Sequence, residues 1–418
     1  MEGESPNADV RMRGFHERTT VEAAIQWIDD NSPVCDCEPV ELEAAGGRVL
    51  AEKIVSGVDV PGFDRSMMDG FALHAEDTLG STAYNPLQLE VIGESLPGNP
   101  FRPPDDSTVQ QGQAIRIMTG APMPAGADAV LPVEKTELRG TQHVVALDAV
   151  SPGKNVGRRG EDIQAGMDLL PAGRRLRPQD IGLISSIGCG QVEVIRRPKV
   201  RIVVTGDELL PPGSMPHGCQ IADSNSPMLA NLIHRDGGIA INPGIVPDQP
   251  DEVLKALRSE VDIVLVSGGS SVGQEDHAPV LLHEHGDLAV HGIAMRPSSP
   301  AGMGKLQRRL VFLLPGNPVS CLCAYDFFAG RAIRALAGMS RDWPYRKMSG
   351  QLSRKVVSTI GRVDYARVRL TDAGIEPIAI SGASILSSTT ASDGFLIIDG
   401  DREGFAAGTS VEVFLYDY

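Results

Sequence analysis

A chain of 418 residues, 42% of them hydrophobic, is long enough for several cores and therefore for more than one domain. Its formal charge of -16 excludes a nucleic-acid coat, because a phosphate-binding face needs clustered Lys and Arg, and no stretch approaches the roughly 18 apolar residues of a membrane-spanning helix. Aromatic residues are only 4% while Gly (46) and Pro (30) are plentiful, which points to many turns and short strands rather than a helical bundle.

The first twenty residues are polar and lack the apolar core of a signal peptide. The six cysteines, at 35, 37, 189, 219, 321 and 323, form two CxC pairs and two singles, with no CxxC and no disulfide framework. Reduced thiols in a cytoplasmic protein are expected. Thr20 to Asp30 (TVEAAIQWIDD) predicts a short amphipathic helix with Thr20 as N-cap, and 40–55 a second helix or a strand pair. Residues 60–73, VPGFDRSMMDGFAL, have little periodicity but crowd Asp64, Arg65, Ser66 and Asp69. Two carboxylates so close in a glycine-bearing loop can bind a cation or orient water; turn and cap chemistry is the plainer reading.

From Leu87 to Val150 short β segments alternate with Pro/Gly turns, which predicts a compact all-β module with Thr119 at a strand end. Residues 152–188 bring Arg158-Arg159, then Glu161-Asp162, then a tight-turn β pattern and a helix capped at Asp180. The arginine pair suits a phosphate or a solvated face. From Lys199 strands and helices alternate: VRIVVTG, the helix after Asp223, IAINPGIVPD, the helix of DQPDEVLKALRSE, LAVHGIAMRP, LVFLLPGNP and the helix VSCLCAYDFFAGRAIRALAG. These lengths predict a doubly wound parallel sheet, whose ligands lie beyond the strands' carboxyl ends.

Within this region VDIVLVSGGSSVGQED (261–276) joins a strand buried on both faces to a small-residue turn and an acidic pair. Gly268, Gly269, Ser270 and Ser271 let the backbone approach an anion closely; an ordinary strand-to-helix turn would use the same residues. Glu208, Asp223, Ser270, Asp276 and Pro315-Gly316-Asn317-Pro318 all fall at or beside strand ends. After Pro344 the pattern returns to five or six strands of a small C-terminal β barrel or sandwich.

PGFDRSMMDGFA, GESLPGNP, RIMTGAPMPAGADAVLPVE, GEDI, IVVTGDELLPPG, DSNSPML, VSGGSSVGQED and LPGNPVSCL, in this order, resemble the molybdopterin molybdenumtransferases, bacterial counterparts of the gephyrin E domain. The resemblance covers nearly the whole chain from about residue 20. It implies a multidomain α/β protein: an elongated N-terminal linker domain (14–59 and 150–188), a β-rich domain (60–149), a doubly wound α/β molybdopterin-binding domain (189–342) and a C-terminal β barrel (343–418). It also implies a homodimer with active sites shared between subunits. The reaction implied takes adenylylated molybdopterin and molybdate to molybdenum cofactor and AMP, with Mg²⁺.

Carried over motif by motif, the resemblance implies catalytic Asp69, Asp162, Glu208 and Asp276, with Asp69, Glu208 and Asp276 on the metal. Thr119, Asp223, Gly268 to Ser271 and Pro315 to Pro318 would bind the pterin substrate, and Arg296, Ser320, Arg367 and Ser388 the molybdate. Two segments depart from the family pattern. Asp-Tyr-Thr-Lys is replaced by Asp276-His277-Ala278-Pro279, and Lys-Pro-Gly-Lys-Pro by Arg296-Pro297-Ser298-Ser299-Pro300, which keeps one cation and loses the other. A doubly negative oxyanion still needs positive charge or many donors. Arg296 is read either as that charge or as a surface arginine paired with an acid. A non-catalytic binding or scaffold protein on the same fold is the alternative; an acid at each carboxylate position favours the enzyme.

Overall fold

The computed structural model describes residues 17–103, 107–268, 276–379 and 382–416. The chain divides into two compact units, one of Met1–Pro39, Gly47–Ala51 and Glu193–Tyr418, the other of Val40–Gly46 and Glu52–Val192.

The first unit is built on a seven-stranded sheet. Its main path runs Ile239–Ile241, Lys199–Thr205, Ile263–Ser267, Arg309–Leu314, Gly302–Leu306, Asp287–His291, and Ile245–Val246 also pairs with Lys199–Thr205. The first four of these strands are parallel. The last two are antiparallel, because Gln307, at φ +60°, closes a tight turn between Gly302–Leu306 and Arg309–Leu314 where a parallel neighbour would need a crossover. The wholly parallel sheet expected from the alternation is thus a mixed one.

Side chains of alternate residues feed two cores. Val200, Ile202, Val204, Ile263, Leu265 and Phe312 pack with helices Asn225–Arg235 and Gly330–Leu336 on one face, and Val203, Val264, Val266, Val311 and Leu313 with helices Pro250–Leu257 and His277–His285 on the other. That is why Ile263–Ser267 is buried at every position and reads as a continuous apolar run. Helix Val21–Asn31, its Ala23 N–H donating to Thr20 Oγ1 (3.2 Å), adds Val21, Ala24 and Ile28 to the first core. The helix expected over 319–338 is interrupted by a π turn at Tyr325–Ala329 between Pro318–Ala324 and Gly330–Leu336. Asp326, fully buried on this turn, accepts from Arg235 Nη2 (3.0 Å) and from the Tyr345 hydroxyl.

A second sheet of this unit runs Met295–Arg296, Val363–Thr371, Gly394–Ile398, Ser410–Leu415, Arg346–Gln351, with Gly374–Ala379 also on Val363–Thr371. It rolls until Leu352 bridges Ile375 and encloses a core of its own, including Val368, Leu396 and Val413. Its other face presents Tyr365, Phe395 and Phe414 to the α/β core, with Tyr365 and Phe395 stacked at 4.3 Å.

The second unit holds a six-stranded sheet ordered Ala129–Pro132, Gly70–Leu73, Gln113–Ile117, Leu87–Ser95, His143–Ala146, Thr136–Arg139. Gly70 is obligatory there, since a Cβ would fall 2.0 Å from Leu131 O on the neighbouring strand. Small strand pairs, Arg65–Ser66 with Val156–Gly157 and Ile54–Val55 with Asp168–Leu170, and the helices Leu42–Ala45 and Pro178–Ser186 also belong to this unit. The chain leaves the first unit and re-enters it at adjacent points: Leu50 bridges Val194, and Ala51 N–H donates to Glu193 O (2.9 Å).

Candidate active site

Beyond the carboxyl ends of the parallel strands, the first unit encloses a cavity of about 830 Å³. Three strand-end segments form its floor: Thr205-Gly206 after Lys199–Thr205, Ser267-Gly268 after Ile263–Ser267, and Pro315 to Pro318 after Arg309–Leu314. Gly268 has φ +95°, and a Cβ on it would meet Thr205 O at 2.6 Å, so only glycine brings the backbone this close. Glu208, Asp223, Asp248 and Asp276 line the same cavity. Of the sequence candidates, Glu208, Asp223, Gly268, Asp276, Pro315, Gly316, Asn317 and Pro318 therefore share one space. Gly269, Ser270 and Ser271 lie outside the described residues.

The acids are held differently. Asp223 is buried, and its Oδ1 accepts the backbone N–H groups of Asn225 (2.9 Å) and Ser226 (3.0 Å) while Oδ2 takes the Ser226 hydroxyl, so it fastens the start of helix Asn225–Arg235. Glu208 is exposed and its carboxylate lies over Gly206, where a Cβ would fall 2.7 Å from Oε2. Asp276 immediately precedes helix His277–His285.

A smaller cavity of about 300 Å³ adjoins the first and shares Pro300, Pro315 and Asn317 with it. Arg296, Ser298, Ser299 and Ser320 line it. Arg296 Nη2 donates to Asp364 Oδ2 (2.6 Å); Asp364 is fully buried and also accepts from Ser358 Oγ (2.7 Å) and pairs with Arg362 Nε (3.2 Å). Among the described residues, Arg296 Nε and Ser299 Oγ are buried with no hydrogen-bond partner. Ser298, at φ +86°, donates its hydroxyl to Ser320 O (2.6 Å). Arg367 is 1% exposed, and its Nη1 donates to Gly382 O (3.4 Å) at the cavity wall; burial pulls its guanidinium pKa down from the ordinary value. The Ser388 hydroxyl is turned to Ile385 O within helix Leu386–Thr390 and does not line either cavity.

Asp69, Thr119 and Asp162 belong to the second unit. Asp69 Oδ1 accepts Thr119 N–H (2.7 Å) and Thr119 Oγ1 (2.8 Å), and these two bonds, the backbone one foremost, hold its carboxyl below the usual carboxylate range. Asp162 is exposed, with its N–H on Val60 O (3.1 Å). The Arg158-Arg159 pair is engaged with acids: Arg158 Nη1 with Asp64 (2.8 Å) and Arg159 Nε with Asp59 (2.7 Å). Among the described residues, no three His, Cys, Asp or Glu side chains are close enough to hold a metal ion by themselves.

Sequence reasoning passed over Asn225, Ser267, Asp248 and Asp364. Asn225 stood in the DSN motif and Ser267 beside the glycines, so proximity to a motif was the available signal; nothing local marks Asp248 or Asp364.

Residues 19–188 match the MoeA N-terminal region (domain I and II), 201–335 a probable molybdopterin binding domain and 349–416 the MoeA C-terminal region (domain IV). The molybdopterin molybdenumtransferase of Haemophilus influenzae is 32% identical over 384 residues, spanning 90% of this chain and 93% of the relative. Molybdopterin molybdenumtransferase 2 of Mycobacterium tuberculosis is 35% identical over 393 residues, spanning 90% and 95%. Among solved structures, the molybdopterin biosynthesis MoeA protein from Pyrococcus horikosii is similar at 32% identity and a TM-score of 0.81, over 96% of this chain and 100% of that one.

Proposed function

The chain belongs to the molybdopterin molybdenumtransferase (MoeA) family, and from that premise we propose that it inserts molybdate into adenylylated molybdopterin, releasing AMP and leaving molybdenum cofactor. The observation that carries this reading is the pair of adjoining cavities. One has glycine backbone and four carboxylates at the sheet's carboxyl ends, which suits a phosphorylated heterocycle. The other has a guanidinium nitrogen and a hydroxyl that are buried without partners among the described residues, which suits a small oxyanion.

In this reading the Gly268 and Gly316 backbone admits the substrate's phosphate to close range. Arg296 and Ser320 hold the molybdate, with Arg367 behind the Gly382 wall; Ser388, whose hydroxyl is turned to Ile385 O, is left out of the oxyanion contacts. Asp69, with Thr119 and Asp162, acts from the second unit. A divalent ion such as Mg²⁺ suits the first unit's donors, because the hard carboxylates of Glu208 and Asp276 match an ion that keeps several waters and shares its shell with substrate phosphates; Asp69 is assigned to it only through the proposed homodimer. When bound it would neutralise phosphate charge. A homodimer is part of the proposal. So is a cytoplasmic location, in keeping with six free thiols; among the described residues no helix is long and apolar enough to cross a membrane.

The test is to supply the purified protein with adenylylated molybdopterin, Mg²⁺ and molybdate and to follow AMP. Release that depends on molybdate is expected. Binding of the pterin without release would instead make the protein a carrier on the same fold.

A further inference from the structure

Asn225 opens helix Asn225–Arg235, lines the larger cavity and is only 7% exposed. Its Nδ2 donates to Ser267 Oγ (2.9 Å) and to Gly316 O (2.7 Å), which uses both amide hydrogens. Ser267 ends strand Ile263–Ser267, and Gly316 follows the neighbouring strand Arg309–Leu314, with Ser267 opposite Leu314 in register. One NH₂ group therefore ties together two of the three segments that form the cavity floor. These segments lie close together, for a Cβ added to Gly316 would already be in contact with Gly268 Cα at 3.5 Å.

The orientation of the amide is fixed by chemistry. Gly316 O only accepts, so the NH₂ must face it and Oδ1 must lie on the other side. Among the described residues, the buried Asn225 Oδ1 has no hydrogen-bond partner. A buried amide with a purely structural task normally has its acceptor paired as well. The backbone that carries this side chain is itself anchored, its N–H donating to Asp223 Oδ1 at 2.9 Å.

We propose that Asn225 is a positioning residue that sets the gap between the Ser267-Gly268 and Pro315 to Pro318 segments, and thereby the fit of the substrate's phosphate between them; this rests on the functional reading above. Asn225→Asp is nearly isosteric but replaces both donors with lone pairs aimed at Gly316 O. The introduced carboxyl would face Asp223 on its own turn, the acids Glu208, Asp248 and Asp276 in the cavity wall, and the Ser267 hydroxyl, which contacts the Cys321 thiol at 3.7 Å. With acids around it and only neutral groups in contact, it should protonate readily as pH falls and regain one donor for Gly316 O.

The experiment compares wild type, Asn225→Asp and Asn225→Ala for binding of adenylylated molybdopterin and for turnover at about pH 8 and about pH 5. It also follows hydrogen exchange of peptides covering 267–268 and 315–318 in the free proteins. At the higher pH both variants should bind at least about tenfold more weakly, with KM rising more than kcat falls. Relative to wild type at the same pH, Asn225→Asp should recover much of its affinity on acidification and Asn225→Ala none. Exchange of both segments should be faster in both variants. Wild-type affinity and exchange in Asn225→Ala, or a loss in Asn225→Asp that acid does not repair, would overturn the inference; Asn225→Ala carries the comparison if the charged variant does not fold. Should wild type itself fail to bind the pterin, the functional reading falls, and the exchange rates alone decide whether Asn225 ties the segments.

Discussion

Arg296→Ala tests the oxyanion cavity and the interior behind it at once. Asp364 is fully buried, and its carboxylate has three partners, Arg296 Nη2 at 2.6 Å, Ser358 Oγ at 2.7 Å and Arg362 Nε at 3.2 Å. Removing one partner of a buried pair costs about 3–5 kcal/mol when the remaining charge is abandoned. Here Arg362 and Ser358 stay, and the Arg296 side chain is itself 32% exposed, so a loss of about 2 kcal/mol is expected, near that of one charge-assisted hydrogen bond. In a unit of this size that is a fall of roughly 4–8 °C in melting temperature. The same change removes a guanidinium from the cavity and should raise the molybdate concentration for half-maximal AMP release by about tenfold. Arg296→Lys should recover only part of that loss, because an ammonium cannot hold two oxyanion oxygens in a fixed fork. Adding Asp364→Asn separates the effects: because Arg296 and Asp364 are paired while Arg362 also leans on Asp364, the double variant should regain some stability only against the sum of the two single losses, and none of the molybdate affinity. Thermal melts and molybdate titrations at saturating pterin read the two. If the double variant regains molybdate affinity with its stability, Arg296 acts only through the fold. If half-saturation never moves, the oxyanion is held elsewhere, with Arg367 the next residue to change.

Asp69→Asn should cut AMP release by about 10²-fold at an unchanged melting temperature, since the side chain is exposed and bonded only to Thr119; a wild-type rate would remove it from the reaction. Mixing Asp69→Asn with Glu208→Gln subunits should restore part of the activity if the active species is a dimer that shares these residues, and sedimentation as a monomer would end that proposal. Asp180 is buried, and the Arg174 and Arg177 guanidinium groups hold its carboxyl far below the usual carboxylate range. A depressed folded-state pKa gives stability that is complete above about pH 5 and is lost as pH falls through the folded value. The melting temperature of Asp180→Asn should therefore lie a few degrees below wild type at pH 7, with the gap narrowing below about pH 4; a gap independent of pH would contradict the charge argument.

Much of this architecture was legible because burial on both faces leaves an unbroken apolar run, as in Ile263–Ser267, and because Thr20 announces the helix that follows it. The antiparallel edge was not, since Gln307-Arg308 carries none of the Asn-Gly or Asp-Gly chemistry that marks tight turns. Nor was the π turn at Tyr325–Ala329, which the apolar pattern of 319–338 does not distinguish from an ordinary helical turn. At the site, motifs pointed to Asp223, yet the structure spends both its carboxylate oxygens on the start of its own helix and gives the neighbouring Asn225 the contacts between strands. Asp364 escapes sequence reading because its link to the smaller cavity runs through Arg296, which is distant in the chain.

The adjacent exit and re-entry points at Ala51 and Glu193 bear on how the protein is made. Residues 52–192 leave the ribosome as an uninterrupted stretch with a sheet of their own, and folding them first draws the two ends of the excursion together, easing the closure entropy for the rest. The N-terminal helix has no such early partner. Val21, Ala24 and Ile28 bury themselves among residues that include Phe328 and Ala332, so this apolar face waits through the synthesis of three quarters of the chain. Newly made protein thus leaves this apolar face open to chaperones and to misassociation until that partner has been made.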